Sequence, residues 1–128
     1  MAVTVHREPN RVKWIGVRPG HEGEQVLLPI DTAVNADVYT VPADKMLLLF
    51  DWHLGGVRAI GFTGHLYVYD DTPVVIASIA TVSSEVGEPG TSTSNALWIP
   101  IELPEDYAIK VVTAKQVEGY IHGILIDA

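Results

Sequence analysis

Residues 45–54 read Lys45-Met46-Leu47-Leu48-Leu49-Phe50-Asp51-Trp52-His53-Leu54. In an extended strand successive side chains point to opposite faces. Met46, Leu48, Phe50, Trp52 and Leu54 then share one face, and Lys45, Leu47, Leu49, Asp51 and His53 share the other. The first half of the segment is therefore apolar on both sides. The same two-residue alternation recurs along the chain, broken by Gly, Pro, Asp and Asn at intervals typical of a sandwich or barrel. Helix signals are nearly absent.

Residues 61–70 place Phe62, Gly64, Leu66 and Val68 on one face and Thr63, His65, Tyr67 and Tyr69 on the other. Strands are expected also at 74–82, 95–103, 107–113 and 117–127, with shorter ones at 12–17, 25–29 and 38–41. Residues 85–94 form the one long polar loop. Eight or nine strands predict an all-β chain, an antiparallel β-sandwich of jelly-roll type. In 117–127, Val117, Ile121 and Leu125 lie opposite Tyr120, Ile124 and Ile126. A two-layer sandwich buries one face of each sheet, so strands apolar on both faces call for a third layer. A neighbouring subunit is the simplest such layer, and the N-terminal arm covering a central strand is the alternative. The expected contacts are Leu47, Leu49, Tyr67, Tyr69, Trp98, Tyr120, Ile124 and Ile126, since aromatics are enriched where subunits meet.

A length of 128 residues fits one domain. We divide it into residues 1–36, an extended N-terminal arm with short strands, and residues 37–128, the β-sandwich. The composition, 48% hydrophobic and 19% charged, excludes disorder and leaves few charges to cover a monomer. The absence of cysteine removes disulfides and thiolate metal sites. The first ten residues lack a secretory signal and no apolar run approaches a membrane span, which predicts a soluble, unprocessed chain with no membrane partner. Sixteen acidic against eight basic residues give a net charge of −8, which argues against nucleic acid as a partner. The basic charge is concentrated at the start, in Arg7, Arg11, Lys13 and Arg18, and the same segment holds Trp14. A basic arm carrying an apolar anchor on an acidic body is the pattern of a docking tail, while solvated charges at a frayed terminus would give the same charge distribution.

Asp51 and His53, on one face of a strand at i, i+2, could begin a metal site with His65 or His122. The pattern is weak, because exposed strands often carry such pairs. No G-x-S-x-G elbow, H-E-x-x-H helix or Gly-rich phosphate loop occurs. We therefore expect no catalytic residues, no metal ligands and no cofactor. Trp98, Tyr67, Tyr69 and Tyr120 could alternatively stack on sugars, as in a carbohydrate-binding module.

Two turns share one design: Val41-Pro42-Ala43-Asp44-Lys45 and Leu103-Pro104-Glu105-Asp106-Tyr107. Proline is expected to fix φ at the second turn position, with Asp tolerating the left-handed region. These turns, the apolar strand after Lys45, and the closing 119–127 (Gly-Tyr-Ile-His-Gly-Ile-Leu-Ile-Asp) resemble small β-sandwich structural proteins of tailed bacteriophages. The resemblance spans residues 38–127. Those proteins carry V-P-A-G-K and L-P-A-G-Y turns, so Asp44 and Asp106 stand where glycine is usual. The resemblance implies a virion component assembled in the host cytoplasm. A capsid decoration, or cement, protein is the form it favours: a homo-oligomer, expected to be a trimer, docked on the major capsid protein or another virion protein at the capsid surface. The alternative is a carbohydrate- or receptor-binding module of a tail or fibre. A small metal-dependent β-barrel enzyme ranks behind both.

Overall fold

The computed structural model describes residues 23–56, 61–84 and 91–128. They form eight strands: β1 (Glu24–Thr32), β2 (Ala36–Thr40), β3 (Lys45–Gly56), β4 (Phe62–Tyr69), β5 (Val75–Ser84), β6 (Ser92–Leu103), β7 (Ala108–Val112) and β8 (Val117–Asp127). One four-stranded sheet has the order β1-β8-β3-β6 and the other β2-β7-β4-β5, with every pairing antiparallel. Every connection except β4–β5 passes from one sheet to the other, which makes the molecule a jelly roll. Among the described residues there is no helix, and so none able to cross a membrane.

The alternation expected from the sequence builds the core. Leu66 and Val68 of β4, Val111 of β7 and Val82 of β5 face Val26 and Ile30 of β1 and Ile121 and Leu125 of β8 across the two layers. Trp52 adds a polar tie, its Nε1 donating to the carbonyl of Ile79 in the opposite sheet at 2.9 Å. β1 runs beside β8 over its whole length, from Glu24 opposite Leu125 to Thr32 opposite Val117. The sandwich therefore takes in residues that the division at 36 assigned to the arm. The expected strand at 12–17 lies outside the described residues.

On β3 the faces differ from the simple alternation. Leu49 pairs with Gly123 and Asp51 with His122, so Phe50 is an extra residue relative to β8. Such a bulge shifts the phase of every side chain beyond it. Leu47 and Leu49 before it, and Trp52 and Leu54 after it, all point into the core. Met46, Leu48 and Phe50 lie on the outer face instead, where they cluster with Ile124 and Ile126 of β8. Leu47 and Leu49 are fully buried within the single chain, so the expectation that they contact a neighbouring subunit is corrected.

The two Pro-Asp turns are also placed differently in detail. Lys45 N donates to Pro42 O, and Tyr107 N to Pro104 O, so proline holds the first turn position rather than the second. Asp44 and Asp106 then fill the third position with φ of 63° and 68°, the left-handed slot that glycine occupies at least cost. The turns lie side by side: Val41 N donates to Tyr107 O, Asp106 N to Val41 O, and Asp44 N to the Glu105 carboxylate at 2.8 Å.

Left-handed backbone costs an L-residue about 1–2 kcal/mol, partly offset in a glycine variant by about 0.5–1 kcal/mol of extra unfolded-state freedom. Asp106→Gly should therefore stabilise the fold by up to about 1 kcal/mol, while Asp106→Val, β-branched, should lower the thermal midpoint. A lower midpoint for Asp106→Gly would show that the Asp106 side chain supplies more than its backbone shape.

Candidate functional site

Three surfaces gather the side chains that chemistry or binding would use. The first is the outer face of the first sheet. Below the Met46–Ile126 cluster it turns polar: His122 Nδ1 donates to Asp51 Oδ2 at 3.0 Å, and its Nε2 accepts from Gln25 Nε2 at 2.9 Å. That bonding pattern assigns the proton to Nδ1. His53 Nδ1 bonds Ser94 Oγ at 2.5 Å, and its ring stacks on Tyr120 at 6.2 Å between centroids. The hydroxyl and the carboxylate are thus bonded to different imidazoles, and these contacts form no Ser-His-Asp relay. Beside them opens a cleft of about 580 Å³, lined by Pro29, Asp31, His53, Gly55 and Glu118 among others. Among the described residues, no three His, Asp or Glu side chains stand close enough to share a metal ion. His65 lies on the other sheet, away from Asp51.

The second surface is the outer face of the second sheet. His65 and Tyr67 stack face to face at 4.9 Å, 8° from parallel, and Tyr69 meets Tyr67 edge-on at 6.3 Å. Lys110 Nζ covers the Tyr69 ring at 4.8 Å. A sugar platform needs a free ring face, and in this row one face of each stacked ring already has a partner. Tyr67 and Tyr69 are half-buried.

The third surface is the side of the sandwich where β5 and β6, an edge strand from each sheet, run together. Thr91 N donates to Ser83 O, and Thr93 Oγ1 to Thr81 O at 2.9 Å. On β6 the partner of Leu49 is Ile101, but that of Asp51 is Ala96, so Leu97–Pro100 oppose Phe50 alone. The surplus residues leave the ladder, which an edge strand permits and Pro100, lacking an N–H, favours. Trp98 is consequently 85% exposed and Ile99 72% exposed. β5 has its own register breaks, at Ile76 and Ile79 relative to β4, and Val74, Val75 and Ile76 are exposed.

The structure therefore disperses the expected contact residues. Leu47 and Leu49 belong to the core, Ile124 is buried in the outer cluster with Ile126 half-buried beside it, and Tyr120 lies on the first sheet's outer face. Only Trp98 protrudes strongly. The arm residues Arg7, Arg11, Lys13, Trp14 and Arg18 lie outside the described residues, which begin at Gly23. A Cβ at Gly23, the first described residue, would stand 3.0 Å from Ile126 Cγ2. Ile99 and Val74–Ile76, also exposed, were not among the expected contact residues. Their signals were local: Ala96-Leu97-Trp98-Ile99-Pro100 breaks the two-residue period within a strand, and Val74-Val75-Ile76 is an unalternated run after a turn.

Asp70, in the acidic pair before β5, acts as a turn cap. Its Oδ1 accepts from Thr72 Oγ1 at 2.5 Å, Thr72 N at 2.9 Å and Val74 N at 2.8 Å. The Thr72 hydroxyl first, and then the two amides, hold this carboxylate below its usual range. A carboxyl that binds its proton less readily when folded stabilises the fold above the ordinary carboxylate pKa. That contribution disappears as pH falls through the lowered value. Thermal midpoints of wild type and Asp70→Asn should therefore differ most near neutral pH and draw together in acid, as pH falls through the lowered value. A difference that persists in acid would contradict the assignment.

Neither a family model nor a curated protein matches this chain.

Proposed function

We propose that the chain is a non-enzymatic structural protein of a tailed-phage virion, a capsid decoration protein that assembles on itself and docks on the head. The observation that supports this most is the Trp98–Ile99 excursion. A jelly roll with few charges holds a tryptophan and an isoleucine out in water on an edge strand. Burying each such side chain in a contact is worth about 1.5–3 kcal/mol, so assembly is the state that this surface favours. The phage-like turns point the same way, since they carry fold geometry rather than site chemistry. Trimerisation and attachment through the basic arm, to the major capsid protein or another virion protein, complete the proposal.

A carbohydrate- or receptor-binding module of a tail or fibre is the second reading, and Trp98 could serve it as a stacking platform. His65, Tyr67 and Tyr69 are packed on one another and on Lys110 rather than standing free as Trp98 does, and Trp98 lies beside the apolar residues of β6, which favours assembly.

Copy number on purified virions separates the two readings. A decoration protein should be present in numbers comparable with the major capsid protein, whereas a receptor-binding module would appear as a few copies at the tail. Removal of residues 2–18 should leave a folded oligomer that no longer binds capsids stripped of the protein. Normal capsid binding by the truncated chain would assign docking to the sandwich itself.

A further inference from the structure

We propose that the β5–β6 side is where a second copy of this chain docks, the Trp98–Ile99 excursion of one copy seating against the Val74–Ile76 edge of the next. This rests on the assembly reading above and gives it a surface and a contact.

Charge favours a second copy as the occupant. β5 and β6 together contain one ionisable side chain, Glu102, in a chain of net charge −8. Two copies of an acidic chain repel one another within the Debye length, about 8–10 Å at physiological salt, unless they approach through a neutral side. A basic or acidic partner, by contrast, would find almost nothing here to pair with. Apolar chemistry is concentrated on the same side: Val74, Val75, Ile76, Trp98 and Ile99 are five of the eight large hydrophobic residues exposed among the described residues.

The backbone fixes the kind of contact. An intact edge strand invites another strand to extend its sheet. Here β6 leaves its ladder between Ala96 and Ile101, and β5 is broken at Ile76 and Ile79. Bulges of this kind disrupt strand addition and turn side chains outward, so the copies meet through side chains rather than through a shared sheet. Because the tryptophan and the apolar edge lie on one side of the chain, the excursion of each copy can meet the edge of the other.

The test is the molar mass of the full chain by light scattering and sedimentation over a range of concentrations, for wild type, Trp98→Glu and Ile76→Lys. Both positions are solvent-exposed in the single chain, so both variants should keep the wild-type thermal transition of the protomer. Each should weaken self-association by about thirtyfold or more, the loss expected when an interface anchor is removed. An oligomer unaffected by either substitution would overturn the assigned surface and leave the assembly reading standing. Sensitivity at Trp98 but not at Ile76 would overturn the pairing of excursion with edge. A wild-type chain that stays monomeric at every concentration would overturn the assembly reading together with this inference.

Discussion

Register breaks on both flanks of Phe50, one against β8 and one against β6, set the core and the exposed side. Relative to β8, β3 carries one residue too many there, and the surplus turns Trp52 and Leu54 to the same side as Leu47 and Leu49. Without it the strand would divide its large side chains between the two faces, and Trp52 could not reach the Ile79 carbonyl of the second sheet. Gly123 faces the break. A Cβ there would stand 2.6 Å from Leu48 O, so the strands can approach at this point only because the residue has no side chain. On the other flank the same position of β3 meets four residues of β6, and the surplus of that pairing is the segment that carries Trp98 and Ile99. The interior on one side of β3 and the tryptophan left in water on the other are thus set by two register breaks that coincide at Phe50.

The paired turns supply the second organising contact. Pro42–Lys45 and Pro104–Tyr107 are far apart in sequence, yet their backbones bond to one another and Glu105 caps Asp44 N. Each turn also launches a strand, β3 and β7, of a different sheet. Local backbone preference and tertiary pairing therefore specify the same reversal, the agreement between levels that favours a single native fold.

The strands were legible in the sequence because period-two alternation survives wherever the ladder is regular. The faces of β4 and β8 are those the alternation predicts, with Leu66 and Val68 inside and Tyr67 and Tyr69 outside, and with Ile121 and Leu125 inside opposite Ile124 and Ile126. β3 was misread for a physical reason. In Leu47-Leu48-Leu49-Phe50 both faces are apolar whichever phase is chosen, so nothing in the segment marks where the extra residue falls. The site was less legible than the fold. Trp98 was singled out as an aromatic, but its exposure comes from a mismatch between β3 and β6, which no single strand records. Jelly rolls host many unrelated functions, so the fold alone does not select one, and the functional proposal stands on the side chains that this mismatch presents.

The fold of one chain holds Trp98 in water, and the proposed contact with a second copy would remove it from water. Fluorotryptophan labelling of the intact protein gives separate ¹⁹F resonances for Trp14, Trp52 and Trp98, assigned with a Trp98→Phe variant, and the shift of each between H₂O and D₂O reports its solvent contact. A large solvent shift is expected for Trp98 in the dilute, dissociated chain, disappearing as concentration drives assembly, while Trp52, buried in the core, should show none throughout. A Trp98 resonance shielded in the dissociated chain, or equally exposed in the assembly, would contradict this expectation.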